Sequence, residues 1–489
     1  MTPPEDDPLS PAAFGSALKR FLDASLALAP GVEPPLRARV REHLATDPAE
    51  LPTVARAFPA RDHPNLQLAL DALLARPGWT AEVHGLRGVY GRHQAVSLAE
   101  VIEAPDGTDD MPAPRFGPLE HETVELEPGR TIACVSNGLV LAAHGASRVV
   151  AVVSRSEGHM GPAGLRVEVV ASDAAEAERF LADLRQTMRE LDVYRGRVLA
   201  FTRDEYGEPG LRIQQLPSID REEIVLPPGT LELIERHAIA PTRHRERLLA
   251  AKRHLKRGLL LHGPPGTGKT LTTMHLVSRM PGRTVVMLTG EALGAIETAC
   301  ALARELEPST VVLEDVDLVG EERTYPGAST PVLFELLNQM DGLASDVDVL
   351  FVLTTNRPEL LEPALAARPG RIDQAVELPL PDADGRRRLA ELYARGLTVE
   401  PTALDGVVHR TDGASAALVR EVLRKAAVFA AEARDGPIAV READLDAALD
   451  DLSGEGGALA RTMLGRGPSR TPAPFGRGEE DLGGGMGFG

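Results

Sequence analysis

Residues 258–270 read GLLLHGPPGTGKT, and Gly263, Gly268, Lys269 and Thr270 keep the spacing G-x-x-x-x-G-K-[ST]. A loop of this kind suits one ligand chemistry. Gly266 and Gly268 let backbone N–H groups turn toward a single anionic centre without side-chain obstruction, and Pro264, Pro265 and Thr267 complete the cradle. The N-terminus of a following helix adds partial positive charge. Lys269 brings a full charge for the β- and γ-phosphates of ATP, and Thr270 a hydroxyl for Mg²⁺. A chance glycine turn is the plain alternative, and agreement at every position argues against it.

Three further groups could complete a phosphoryl-transfer site. Val311-Val312-Leu313-Glu314-Asp315 is a β-rich run ending in two carboxylates. Such a site needs one acid to hold Mg²⁺ and usually a second to position the attacking water. Two adjacent acids at the end of a buried strand are costly without a cation. Asn356 ends the run VLFVLTTN, where it can bond the attacking water or the γ-phosphate. Arg368 and Arg371 stand on the turn Arg368-Pro369-Gly370-Arg371. Alone they read as a charged surface turn. Behind the other motifs they have the character of arginine fingers, since a fixed charge and forked geometry match phosphate oxygens.

These side chains need a scaffold. Leu259–Leu261 is an apolar run fit for a buried parallel strand, and LTTMHLVSRM after Thr270 fits a helix stopped by Pro281-Gly282. Thr284–Thr289, Val311–Glu314, Val349–Thr355 and Ala375–Leu378 follow as short β-rich runs, each with a helix or loop behind it. That alternation predicts a parallel α/β sheet with its chemistry at the strand C-termini. Beyond Pro379-Leu380-Pro381 the pattern is helical to about residue 452, with Ser415 as a helix cap and Val419, Val422, Leu423 and Ala426 on an apolar face.

Upstream, residues 11–76 read as helices around Leu18–Leu28, Leu36–Leu44 and Leu66–Leu74. From Leu119 the pattern turns to strands. Thr123–Leu126 and Thr131–Val135 flank the turn Pro128-Gly129, and Leu139–Ala142, Arg148–Val153 and Leu165–Val170 follow. A helix marked by Phe180, Leu181, Leu184, Met188 and Leu191 then precedes the strands Val198–Phe201 and Leu211–Ile213. The basic stretch Arg243, Arg245, Arg247, Lys252, Arg253, Lys256 and Arg257 reads as the solvated face of a linker helix. The chain thus divides into a disordered N-terminus at 1–10, a mainly helical region at 11–115 and a small α+β module at 116–222. A nucleotide-binding α/β domain at 223–380, a helical region at 381–452 and a disordered Gly/Pro/Arg-rich tail at 453–489 complete it.

The totals narrow the partners. A net charge of −19 over 489 residues disfavours nucleic acid, whose phosphates need clustered cations. The two cysteines, Cys134 and Cys300, make neither a disulfide framework nor a metal set and read as buried thiols of a reducing compartment. The N-terminus MTPPEDDPLS lacks the pattern of a signal peptide, and no apolar run approaches the ~18 residues that would span a bilayer. The expectation is a cytoplasmic protein with no membrane contact.

The order GPPGTGKT, LEDVD, LLNQMDGL, LTTNRPELLEPALAARPGRID and TDGASAALV resembles the classical AAA ATPases over about residues 223–452. The resemblance implies an α/β P-loop module with a helical lid at 381–452, behind an N-terminal helical and α+β region. It assigns Gly263–Thr270 to Walker A, Glu314 and Asp315 to Walker B, Asn356 to sensor 1, and Arg368 and Arg371 to arginines that act on a neighbouring subunit. It further implies a homo-oligomeric ring, hexameric in the family, that hydrolyses ATP to remodel or chaperone a protein client. Two departures stand out. The Walker B acids are reversed, which makes Glu314 the Mg²⁺ ligand and Asp315 the water-positioning base. Ala292-Leu293-Gly294 lacks the aromatic of the family's pore loop. Both departures resemble the branch of the mitochondrial Rieske-protein translocase and its soluble bacterial relatives. A nucleotide-gated scaffold with slow hydrolysis is the competing reading, and nucleic-acid remodelling a third. The C-terminal Gly487-Phe488-Gly489 is a poor match to the hydrophobic-tyrosine ending through which proteasome-activating ATPases dock.

Overall fold

The computed structural model describes residues 33–88, 95–103, 114–156, 164–203, 209–317, 331–342, 346–361 and 371–453. The expected N-terminus 1–10, the helix at Leu18–Leu28, Arg368 and all of the tail beyond Ser453 lie outside these residues. Two compact units divide at Gln214/Gln215.

The first unit is built on an antiparallel sheet. Its strands are β1 (Thr53–Pro59), β2 (Trp79–Arg87), β3 (Arg115–Gly117), β4 (Glu120–Glu127), β5 (Arg130–His144), β6 (Ser147–Ser156) and β7 (Gly164–Ala171), in the order β1-β7-β6-β5-β2-β3 with β4 also on β5. β5 is long because it serves two partners on one edge. Its first half pairs with β4 across the Pro128-Gly129 turn, and its second half pairs with β2. Alternation along the strands splits the side chains between two cores. Val140, Ala142, Val149, Ala151, Val167 and Val169 face helices α2 (His63–Leu74) and α4 (Ala174–Glu190). Leu139, Leu141, Val150, Val152 and Val170 face α1 (Pro35–Leu44) and α3 (Leu98–Ile102). Each fully buried aliphatic side chain contributes roughly 1.5–3 kcal/mol. The hairpin β8 (Val198–Arg203) and β9 (Pro209–Gln214) closes the unit.

The boundary expected at 115/116 is absent. β1 and β2, from the stretch read as mainly helical, are strands of the same sheet as the α+β module. The sequence hid them because β1 is an edge strand exposed along most of its length, and β2 (WTAEVHGLR) buries only Gly85 and Leu86.

The second unit carries the nucleotide motifs. β10 (Arg257–His262), β11 (Thr284–Leu288), β12 (Ser309–Leu313), β13 (Val349–Thr355) and β14 (Gln374–Glu377) pair in parallel in the order β14-β10-β13-β12-β11. Helices α5 (Thr230–Arg243), α6 (Arg245–Ala250), α7 (Lys269–Ser278), α8 (Ile296–Glu305) and α9 (Pro331–Asp341) accompany them. All seven residues of β13 are buried, as expected of a central parallel strand covered on both faces. The helical lid comprises α10 (Ala383–Tyr393), α11 (Pro401–Arg410), α12 (Ala416–Ala433) and α13 (Glu442–Ser453) around its own core, which includes Leu389, Val407, Val422, Leu423 and Leu445. Ser415 caps α12 by accepting from Leu418 N–H at 3.3 Å.

The basic stretch corrects one expectation. Arg257 opens β10 and is buried. Its guanidinium donates to Asp348 at 2.9 Å, to Ala238 O at 2.9 Å and to Thr242 Oγ1 at 2.7 Å. Arg283 donates to the same Asp348 oxygen at 2.9 Å. Burial pushes the Asp348 carboxyl up, but the two guanidiniums outweigh it and hold the group below the usual carboxylate range. This cluster ties α5 to the N-terminal ends of the strands, opposite the phosphate loop.

Candidate active site

β10 ends at His262, the loop follows, and α7 begins at Lys269, so strand, glycine loop and helix are consecutive as the motif requires. Two glycines are obligatory for separate reasons. Gly263 adopts φ +139°, and a Cβ there would lie 2.3 Å from Leu378 O on the neighbouring segment. Gly266 adopts φ +76°, and a Cβ there would meet Ser415 Oγ at 2.7 Å and the Ala417 Cβ at 2.9 Å. The lid therefore rests directly on the loop, and Ala417 N–H donates to Gly266 O at 3.1 Å. The small residues of the Gly413–Ala417 stretch are explained by this close approach.

Lys269 is buried, and its ammonium donates to Gly263 O at 2.8 Å and Pro264 O at 2.9 Å. Burial pulls its pKa down, while Asp315 and Asp317 pull it back up. Thr267 Oγ1 donates to Pro264 O at 2.9 Å and stiffens the loop.

The two acids sit in different surroundings. Glu314 stays in the ladder, its N–H donating to Leu288 O at 3.1 Å. Burial pushes its carboxyl up and the Asp315 charge adds to this, opposed by a hydrogen bond with Thr270. Its Oε1 is buried without a hydrogen-bond partner. Asp315 leaves the strand in the left-handed region at φ +50°, with its N–H donating to Thr354 Oγ1 at 3.0 Å. That turn brings its side chain to Asn356, whose amide donates to Asp315 Oδ1 at 3.3 Å.

Lys269, Thr270, Asp315 and Asn356 line one cavity of about 700 Å³. Pro265–Thr272, the segment Glu223–Leu226 and lid residues that include Leu389, Tyr393, Ala416, Ala417 and Arg420 form other parts of its walls. A volume of this size holds a nucleotide-sized ligand. Arg371 is not in the wall. It pairs with Asp341 at the end of α9, its Nε donating at 2.6 Å and its Nη2 making a second contact.

Two functional groups escaped sequence reasoning. Asp317, buried, accepts from Thr355 Oγ1 at 2.8 Å and from Asn356 N–H at 3.2 Å, and so fixes the end of β13 that carries Asn356. Its only signal was a third acid in LEDVD. Arg420, one turn into α12, lies over the Tyr393 ring at 6.0 Å and brings a cation from the lid to the cavity.

A five-stranded parallel sheet with this loop, acids and lid is a P-loop nucleotide-binding fold. The sequence profile of the ATPase family associated with various cellular activities (AAA) matches residues 259–380. A proteasome-activating nucleotidase of Methanothermobacter thermautotrophicus is 33% identical over 248 residues, 48% of this chain and 56% of the relative. The 26S proteasome regulatory subunit 10B of Dictyostelium discoideum is 33% identical over 243 residues, 47% and 58% of the two chains. A proteasome-activating nucleotidase of Thermococcus gammatolerans is 30% identical over 296 residues, 58% of this chain and 70% of the relative. The chain spans a little over half the length of the first two. It belongs to the AAA ATPase family. The expected kinship with the Rieske-protein translocase branch is overturned, because these relatives are proteasomal ATPases. That expectation weighed two local departures, the acid order and the pore turn, above a similarity that runs through 243 residues or more.

Proposed function

We propose that this chain hydrolyses ATP and couples the turnover to remodelling or chaperoning a protein client. The observation that carries the reading is the convergence of Lys269, Asp315 and Asn356 on one nucleotide-sized cavity beneath the lid. In the proposed step a water oxygen bonds to the γ-phosphorus, the bond to the β,γ-bridging oxygen breaks, and ADP leaves with that electron pair. Asp315 takes the water proton, Asn356 holds Asp315 and the water in place, and Lys269 exchanges its loop carbonyls for phosphate oxygens.

Mg²⁺ fits this donor set. Glu314 has a buried oxygen without a partner, a carboxyl raised by burial and a bond to Thr270. Thr270 and Glu314 would hold the ion together with the nucleotide and water. When bound it would neutralise charge on the β- and γ-phosphates.

Arg371 stands outside the wall of its own subunit's cavity, which supports its acting on a neighbour's. Such a head-to-tail contact favours a closed ring, and we take six subunits as its size. Arg368, outside the described residues, is proposed for the same role from its place in the sequence. Two buried free thiols favour a reducing, cytoplasmic setting. Among the described residues no helix is long and apolar enough to cross a membrane. A scaffold with slow hydrolysis is favoured by one feature, the turn Gly290–Ala295, which carries no aromatic to grip a chain.

The test is Mg²⁺-dependent phosphate release by the full chain, followed by capture of proteins on Asp315→Asn subunits loaded with ATP. Release that needs Lys269, together with partners that depart from the unmutated chain on hydrolysis, supports the reading. No ATP turnover under any partner condition would refute it.

A further inference from the structure

One buried titratable group near the cavity has no part in the chemistry above. His275 lies on α7, fully buried, with both ring nitrogens engaged. Nδ1 is 2.9 Å from Ile219 O, and Nε2 is 3.1 Å from Glu235 Oε1 on α5. A backbone carbonyl only accepts. Glu235 also only accepts, since Arg221 pairs with it and Arg221 and His275 together outweigh the effect of burial and hold its carboxyl below the usual range. The ring thus meets an acceptor on each side.

The contacts close a ring through three elements. His275 joins α7 to the segment at Ile219 and to α5 at Glu235, and Arg221 returns from Glu235 and Glu232 to the same segment. Four residues past Ile219 that segment becomes a wall of the cavity, Glu223–Leu226. It is pinned a second time by apolar contact, since Ile219, Ile224 and Leu231 pack with Leu226, Leu271 and Met274, the last two on α7. With the phosphates at Gly263–Thr270, the base and ribose end is left to the other walls, Glu223–Leu226 and the lid residues.

We propose that His275 is a positioning residue for the base end of the nucleotide site, holding the segment 219–226 in register with the phosphate-binding helix. It touches neither nucleotide nor reacting atoms. The proposal rests on the nucleotide-site reading and predicts a division that a general loss of stability would not produce. Loosening the clamp weakens ligands that carry a base and spares those that consist of phosphate alone. It also raises KM for ATP while leaving kcat nearly unchanged. The charged groups that meet the ring are Glu235 on α5, with Arg221 and Glu232 behind it.

The experiment compares ADP and tripolyphosphate binding by calorimetry, with ATPase kinetics, in the full chain and in His275→Gln, Glu235→Gln and Lys269→Ala. Glu235→Gln is a one-atom change on a side chain that is 20% exposed, so it loosens the clamp without emptying buried volume should His275→Gln fail to fold. The expected result is ADP binding about tenfold weaker in His275→Gln, the scale of one net hydrogen bond. Glu235→Gln should show a smaller loss, and both variants should keep tripolyphosphate affinity and a kcat within about twofold. Unchanged ADP affinity in both variants overturns the proposal, as does an equal loss of ADP and tripolyphosphate. Lys269→Ala should lose both ligands, and if it keeps both, the nucleotide-site reading falls and the proposal with it.

Discussion

Asp317 offers the sharpest test of how this site is held. Its Oδ1 accepts from Thr355 Oγ1 at 2.8 Å and from Asn356 N–H at 3.2 Å, and the residue is 6% exposed, so bulk water does not replace it. Hydrogen bonds to a charged group are worth about 1.5–3 kcal/mol each. Asp317→Ala removes two, which sets a cost of about 3–6 kcal/mol before any water enters the vacated space and returns part of it. Asp317→Asn keeps an acceptor oxygen and loses only the charge, so its cost is on the order of 1 kcal/mol. The kinetic consequence is larger than the stability loss implies, because Asn356 bonds Asp315. A displacement of about 1 Å at a catalytic group costs on the order of 10²-fold in rate. Urea denaturation gives the stability term, calorimetry the ATP affinity, and steady-state phosphate release the rate. Asp317→Ala should bind ATP within a few-fold of the parent and hydrolyse it about a hundredfold more slowly, with Asp317→Asn between the two. A folded Asp317→Ala that turns over within about threefold of the parent would refute the claim that this carboxylate positions Asn356.

The reversed acids predict opposite defects, with Asp315→Asn retaining ATP without hydrolysing it and Glu314→Gln losing Mg²⁺ affinity. Normal turnover by Asp315→Asn beside a dead Glu314→Gln would invert the roles. Arg371→Ala should bind ATP yet hydrolyse it roughly 10³–10⁵ times more slowly, and mixing it with Lys269→Ala subunits should restore part of the rate. Mixed rings that recover nothing would exclude action across the interface. Asp348→Ala leaves Arg257 and Arg283 buried without their shared carboxylate and should cost about 3–5 kcal/mol in denaturant titration, and a loss under about 1 kcal/mol would show the cluster to be dispensable.

The parts legible in the sequence were those whose chemistry is contiguous. Gly263–Thr270 and Glu314-Asp315 each carry their context within a few residues, and the strands beneath them are apolar runs because both sheet faces are covered. The groups that hold the site together bond across the chain, and nothing local names their partners. Asp317 reaches 38 residues to Thr355, Arg257 reaches 91 to Asp348, and His275 reaches 56 back to Ile219. The same limit hid β1, whose apolar positions gain meaning only beside β7, more than a hundred residues later.

The seam between loop and lid has a consequence for timing. At Gly266 the two parts meet through a direct backbone hydrogen bond and the faces of small side chains. Breaking that hydrogen bond costs about 1 kcal/mol net. Hinge motions that open a seam of this kind fall in the range of microseconds to milliseconds. In the turnover proposed above, ADP would leave as the seam opens, and pressure on α12 from outside would change how fast it does so.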